Sequence, residues 1–335
     1  MDCITDAKIA QLQKLVDAAG SVAVVGHTHP DGDAVGAVTA LGLYLQGLGK
    51  QVCALFPDQV PETLQFALVP SLRYATGPQA VAAVSGASLV LLLDCNGFNR
   101  TDCLEEALKA SQAPKVLIDH HLNPQSDAFD LVFSTPDISS ASELLYWILK
   151  AMGWQVAQEI GTALLTGMTT DTNNFANSVY PSTFQMAAQL IAAGVDRDAL
   201  LGRIYQSYRE NRIRLMGYMQ SQGLHLLPEG GAYMILTREI QDRFDLREGE
   251  SDGLVNVPLA IGQVRLSLLL KENGDHYRVS LRSKKGTSAQ RCAQKFFHGG
   301  GHENAAGGKL FPATDLSAPD ALVPYIENAL KDTLQ

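Results

Sequence analysis

Histidine and aspartate recur where short apolar runs of this chain end. Ser21–Gly26 (SVAVVG) leads into His27-Thr28-His29-Pro30-Asp31-Gly32-Asp33, and Ser88–Leu93 (SLVLLL) into Asp94. Lys115–Ile118 (KVLI) leads into Asp119-His120-His121, and Thr166-Gly167-Met168 into Thr169-Thr170-Asp171. One Asp after a strand is an ordinary cap or turn former, and one His is ordinarily structural. Four such ends on one side of one sheet are another matter. Five or more gathered carboxylates repel one another unless cations neutralise them. A mixed Asp/His set suits Mn²⁺ or Mg²⁺, with other divalent ions admissible. Two such ions about 3.5–4 Å apart are suited to phosphoryl hydrolysis.

The elements that must position these groups alternate. Apolar, β-branched runs at Ser21–Gly26, Gln51–Phe56, Ser88–Leu93, Lys115–Ile118 and Phe129–Ser134 read as buried strands. Helical spacing is predicted over Asp33–Leu48 and at about 140–152, 156–168 and 183–193. That alternation predicts an α/β fold with a mostly parallel sheet and helices on both faces. In such sheets ligands collect at the carboxyl ends of the strands. Asp196–Gln222 reads as one or two helices, with Arg203, Arg209, Arg212 and Arg214 as a solvated face. Strands at Ala232–Leu236, Val264–Lys271 and Tyr277–Arg282 follow, the last two joined at Asn273-Gly274 by a hairpin signal. With helices at about 288–297 and 319–333 they predict a smaller α+β domain. The expected division is 1–195, a helical linker at 196–222, and 223–335.

A length of 335 residues is consistent with two domains. The hydrophobic fraction of 46% supports a sizeable core. No apolar run reaches the length of about 18 residues needed to span a membrane, and the N-terminus reads as an amphipathic helix rather than a signal peptide. Five cysteines without CxxC spacing give neither a disulfide framework nor a zinc site. A soluble, cytoplasmic protein is expected. The net charge of −9 excludes nonspecific coating of nucleic acid. Residues 1–195 hold 8 Lys+Arg against 18 Asp+Glu and the remainder 18 against 17, so the acidity belongs to the half that carries the clustered carboxylates.

Taken in order, His27-x3-Asp31-x-Asp33, Asp94, Asp119-His120-His121 and Asp171 resemble the motifs of the DHH phosphoesterase superfamily. Gly299-Gly300-Gly301-His302-Glu303-Asn304-Ala305-Ala306-Gly307 resembles the signature of its DHHA1 substrate domain. Size and plan are most similar to the bacterial oligoribonuclease (nanoRNase) and 3′-phosphoadenosine-5′-phosphate phosphatase branch. The resemblance implies two divalent ions, Mn²⁺ first and Mg²⁺ second. One would be held by His27, Asp31 and Asp94, the other by Asp33, Asp94, His120 and Asp171. Asp119 would fix a histidine tautomer. His121 would contact the scissile phosphate or protonate its leaving group. Asp94, Asp119 and His121 are therefore the catalytic candidates.

The second domain is expected to hold the rest of the substrate in a cleft between the domains. Arg282 resembles the family's phosphate-clamping arginine. Gly299, Gly300 and Gly301 would let backbone amides approach an anion, and His302 would reach the same phosphate. Arg100 would orient a phosphate or cap a helix. The implied activity is hydrolysis of short oligoribonucleotides or 3′-phosphoadenosine 5′-phosphate. Alternatives are hydrolysis of linear or cyclic dinucleotides, polyphosphate or pyrophosphate, and a non-catalytic nucleotide sensor. The expected partner is a short RNA, oligonucleotide or nucleotide phosphate, not long duplex nucleic acid or a membrane. A homodimer is admissible.

Overall fold

The computed structural model describes residues 2–155 and 157–335. The chain divides into two units, 1–207 and 208–335.

In the first unit, helix α1 (Asp6–Ala18) precedes β1 (Ser21–Val25), α2 (Gly32–Gly47), β2 (Gln51–Phe56), β3 (Arg73–Thr76), α3 (Gly77–Ser85) and β4 (Leu89–Leu93). Helix α4 (Glu105–Ala110), β5 (Lys115–Asp119), β6 (Leu131–Ser134), α5 (Ala141–Ala151), α6 (Gln158–Asp171), α7 (Pro181–Ala192) and α8 (Arg197–Tyr205) follow. The six strands form an entirely parallel sheet in the order β3-β2-β1-β4-β5-β6. Alternate strand residues supply two cores. Val22, Val24, Leu91 and Ile118 pack with α2, α5 and α6 on one face; Ala23, Val25, Leu92 and Leu117 pack with α3 and α4 on the other. A strand buried on both faces must be apolar at every position, which is why these runs read as continuous rather than alternating. Strand β3 and helices α3 and α4 lie outside the predicted elements. β3 is a four-residue edge strand, RYAT, too short and polar to stand out.

The order of strands reverses between β1 and β4. Their carboxyl ends therefore diverge into a crevice, which receives His27–Asp33 from one strand and Asp94 from the other. Helices α2 and α6 pack backbone to backbone here. A Cβ on Gly36 would lie 2.5 Å from the Ala163 carbonyl, and one on Gly32 would lie 2.3 Å from Thr170 Oγ1. The pairing runs antiparallel, so the first turn of α2 lies beside the last turn of α6. Asp33 and Asp171 meet for that reason.

In the second unit, α9 (Glu210–Ser221), β7 (Leu224–Leu226), β8 (Gly231–Leu236), α10 (Arg238–Arg243), β9 (Leu266–Asn273), β10 (His276–Ser283), α11 (Ala289–Phe296), β11 (Gly300–His302), β12 (Ala305–Leu310), α12 (Pro312–Asp315) and α13 (Leu322–Leu334) follow in order. The sheet order is β11-β12-β10-β9-β8-β7, with only β8 and β9 parallel. The Asn273-Gly274 hairpin is present, with Gly274 at φ +64°.

The two helices within 196–222 divide between the units: Leu200 of α8 joins the core of the first, and Leu215 and Met219 of α9 that of the second. The arginines of this segment are not a uniformly solvated face. Arg212 is buried, stacks 3.7 Å from the Tyr208 ring centroid and donates to the Asp252 carbonyl. Arg209 pairs with Asp245 and Glu250. Among the described residues no helix is long and apolar enough to cross a membrane.

Candidate metal centre

His27 follows β1 after Gly26 and is buried. Its Nδ1 lies 2.7 Å from the Thr28 carbonyl, which can only accept, so Nδ1 carries a proton and Nε2 is the atom turned to the cluster. That Nε2 faces Asp94 Oδ2 at 3.4 Å and Asp31 Oδ1 at 3.7 Å. Asp31 caps α2, its Oδ1 accepting from the amides of Asp33 and Ala34. Asp33 is buried in the first turn of the same helix. Its carboxylate accepts from Ala141 N at 2.6 Å and Ser142 N at 2.9 Å, two amides that open α5.

Asp94 stands at the centre, in the left-handed region at φ +56°. Such backbone strain persists where surrounding structure fixes it, and it concentrates at functional sites. Oδ1 lies 3.2 Å from His120 Nε2, and Oδ2 faces His27. His120 Nε2 also lies 3.6 Å from Asp171 Oδ2 and 3.9 Å from Asp33 Oδ2. Asp171 ends α6, where the helix dipole disfavours a carboxylate unless a cation compensates.

His121 points to different partners. Its Nδ1 donates to Asp119 Oδ1 at 2.7 Å, while its Nε2 accepts from Arg100 at 2.8 Å. Asp119 also accepts from the His121 amide. Burial pulls the His121 pKa below its usual value. The imidazole is therefore neutral with its tautomer fixed, and it acts as an acceptor towards Arg100.

Burial alone would also lower His27 and His120, but the Asp31 and Asp94 carboxylates push His27 up to about 10. Asp94, Asp171 and Asp33 push His120 up to about 10. Burial and the charges of Asp94 and Asp171 hold the Asp33 carboxyl well above its usual value. The cluster thus has a negative surplus that protons relieve when no other cation does. His27 Nε2 and Asp94 Oδ1 are buried without a hydrogen-bond partner. Their neighbours lie beyond hydrogen-bonding distance or alignment but around common centres. Donor atoms of His27, Asp31 and Asp94 fall within 4.8 Å of one another, as do those of Asp33, His120 and Asp171. Imidazole nitrogen with carboxylate oxygen fits a divalent ion. Asp94, Asp119 and His121 form a third close group, but its direct 2.7 Å hydrogen bond marks it as an orienting pair.

The family model described as the DHH family, N-terminal domain, matches residues 21–168, and that of the DHHA1 domain matches residues 232–328. A bifunctional oligoribonuclease and PAP phosphatase NrnA of Thermus thermophilus is 31% identical over 90% of this chain and 87% of its own length. The chain belongs to the DHH family. The Bacillus subtilis protein of the same description is 27% identical over 85% of this chain and 88% of its own. An exopolyphosphatase-related protein from Bacteroides fragilis superposes with a TM-score of 0.88 at 33% identity, covering 99% of this chain and 97% of that one.

The sequence-predicted residues of this DHH chain divide between the two units. His27, Asp31, Asp33, Asp94, Asp119, His120, His121, Asp171 and Arg100 gather in the first unit. Arg282, Gly299, Gly300, Gly301 and His302 gather in the second, where Arg282 and His302 both stand opposite Ala305, one on each side. Directly opposed residues share a face of the sheet, so both side chains belong to one row across it.

The glycines serve packing as well as access. A Cβ on Gly299 would lie 1.9 Å from the Gly307 carbonyl and one on Gly301, at φ +139°, 2.6 Å from that of Ala305; only at Gly300 is the space open. Asn304 ties this hairpin to the adjoining loop, its side-chain amide donating to Ser283 Oγ and the carbonyls of Lys284 and Thr287.

Sequence reasoning missed Asp58, which follows β2. It accepts from Thr28 Oγ1 and the His29 amide and so secures the loop carrying His27. The strand-end rule that found the others applies to it equally. His29, Cys95 and His298 are not drawn into the ligand groups. His29 faces Asp58 at 3.3 Å and His298 faces Asp315 at 3.1 Å. Burial pushes the Cys95 thiol up to about 12, so it is not an activated nucleophile. Asn173 adopts φ +47°, as the turn after Asp171 requires.

Proposed function

We propose that this DHH-family hydrolase cleaves phosphate esters of short oligoribonucleotides and of 3′-phosphoadenosine 5′-phosphate, with two divalent ions, Mn²⁺ first, at the centre around Asp94. The observation that carries this reading is the shared position of Asp94: it belongs with His27 and Asp31 on one side and on the other faces His120, which groups with Asp33 and Asp171. When bound, such ions neutralise phosphoryl charge and lower the pKa of water. The protein's own part is orientation. The Thr28 carbonyl keeps the His27 proton on Nδ1, and the amides of Ala141 and Ser142 hold the Asp33 carboxylate.

Of the two roles expected for His121, contact with the scissile phosphate is better supported than proton donation. Its Nδ1 proton is committed to Asp119, and its Nε2 is an acceptor beside a guanidinium. Arg100 supplies the permanent cation of that pair. Arg282 and His302, with the open backbone at Gly300, are proposed to take the substrate's other phosphate.

The test is a panel run with Mn²⁺ and resolved by chromatography: pApA, longer RNA, 3′-phosphoadenosine 5′-phosphate, pyrophosphate, polyphosphate and cyclic di-AMP. Polyphosphate belongs there because the Bacteroides fragilis protein is described as exopolyphosphatase-related. Preference for pApA and 3′-phosphoadenosine 5′-phosphate is expected. Turnover of pyrophosphate alone would sink the nucleotide reading.

A further inference from the structure

Glu143 is fully buried in the first turn of α5, yet it contributes no atom to the ligand groups. Burying a carboxyl group is costly unless hydrogen bonds replace its water. Here the replacement is complete and specific. Oε2 accepts from the Ser139 amide at 3.2 Å, from the Ser139 hydroxyl and from Thr183 Oγ1 at 2.7 Å. Oε1 accepts from Trp147 Nε1 at 3.3 Å. The Glu143 amide in turn donates to Ser140 Oγ, closing the cap of α5.

These partners lead to the metal centre along two routes. Ser139 and Ser140 fix the entry to α5, and the next two residues are Ala141 and Ser142, whose amides hold both oxygens of Asp33. Thr183 lies in the first turn of α7 and accepts from the Tyr180 amide. It anchors the far end of the segment that leaves Asp171 through the left-handed residues Asn173, Asn174 and Phe175. One carboxyl thus ties the segment whose amides hold Asp33 to the segment that leaves Asp171. His27 and Asp31 are held independently, by the Thr28 carbonyl and the start of α2.

We propose that Glu143 is a positioning residue for one half of the centre, the Asp33–His120–Asp171 group, acting through the amides that open α5. The inference rests on the reading of this cluster as a two-ion centre. It predicts asymmetry: loss of Glu143 disturbs one ion site and spares the other. Groups that orient metal ligands typically change affinity by about ten- to hundredfold.

The experiment is a Mn²⁺ titration of the full chain, with free Mn²⁺ followed by electron paramagnetic resonance. Glu143→Gln preserves shape but replaces one acceptor oxygen with a donor amide, which cannot accept from these groups. Two binding steps are expected in the wild type. In the variant one step should weaken about ten- to hundredfold and the other stay unchanged, with an unaltered circular dichroism spectrum. Equal weakening of both steps, or none, overturns the inference. If Glu143→Gln does not fold, Thr183→Val removes one donor to Glu143, together with the acceptor of the Tyr180 amide, and should weaken the same step selectively; unchanged binding there is equally decisive against it. A wild type that binds no Mn²⁺ overturns the metal reading and this inference with it. Wild-type binding matched by identical binding in the variant overturns the inference alone.

Discussion

Gly167→Ala is the sharpest steric probe of how the helices hold the centre. The added methyl would lie 2.0 Å from Ser142 Oγ and 2.6 Å from Asp33 Oδ1, where ordinary contact begins at 3.4 Å. Ser142 must retreat by about 1.4 Å and Asp33 by about 0.8 Å, or α6 must lift from α2. Overpacking of this kind costs about 1–3 kcal/mol, and a unit of roughly 200 residues loses about 2–4 °C of Tm per kcal/mol. The larger effect is on function, because a misplacement of about 1 Å at a reacting centre costs about a hundredfold in rate. Hydrolysis of pApA with Mn²⁺ should therefore fall about a hundredfold in kcat/KM while the fold survives. Adding Ser142→Gly removes the nearest obstruction but not the contact with Asp33. The double variant should recover stability and only part of the activity. Wild-type turnover by a cooperatively folded Gly167→Ala protein would show that Asp33 is not held as described.

Asp94→Asn should keep the fold and reduce Mn²⁺ affinity by more than about a hundredfold, since it removes a shared ligand rather than an orienting partner; isothermal titration calorimetry reads this directly. The histidines give a signed pH dependence. Their pKa values of about 10 exceed the ordinary value of 6.5, so their contribution to stability is full below 6.5 and is lost as pH rises through 10. Metal-free protein should thus lose Tm between about pH 7 and 10. Mn²⁺, which displaces those protons, should bind more tightly as pH rises over that range, with proton release visible as a buffer-dependent enthalpy. Asn304→Ala removes three hydrogen bonds from the hairpin bearing His302. It should raise KM for pApA by about tenfold with kcat nearly unchanged; a fall in kcat alone would contradict a role in substrate holding.

By itself the sequence determined which donor groups stand at the strand ends and the elements that carry them. Apolar runs too continuous for a half-exposed strand made the parallel sheet legible, and the His and Asp at their ends marked one edge of it. Local patterning encodes local structure, so α2, α5 and α7 were predicted to within a residue or two at each end. α6 was predicted to stop at about 168, but the helix runs on to Asp171. The near-neutral second half was likewise legible as a distinct unit. What only the tertiary structure decided is which distant groups meet. Arg100 and His121 share a hydrogen bond because β4 and β5 are neighbours in the sheet. Asp33 reaches the amides of α5, 108 residues away, because Gly36 and Gly167 let α2 and α6 touch. Glu143, which looks like an ordinary helix-start glutamate, is fully buried where α7 brings Thr183 against it. Residue type and spacing specify donors and acceptors, but burial and long-range pairing are properties of the packed chain, and they set each group's charge, tautomer and role.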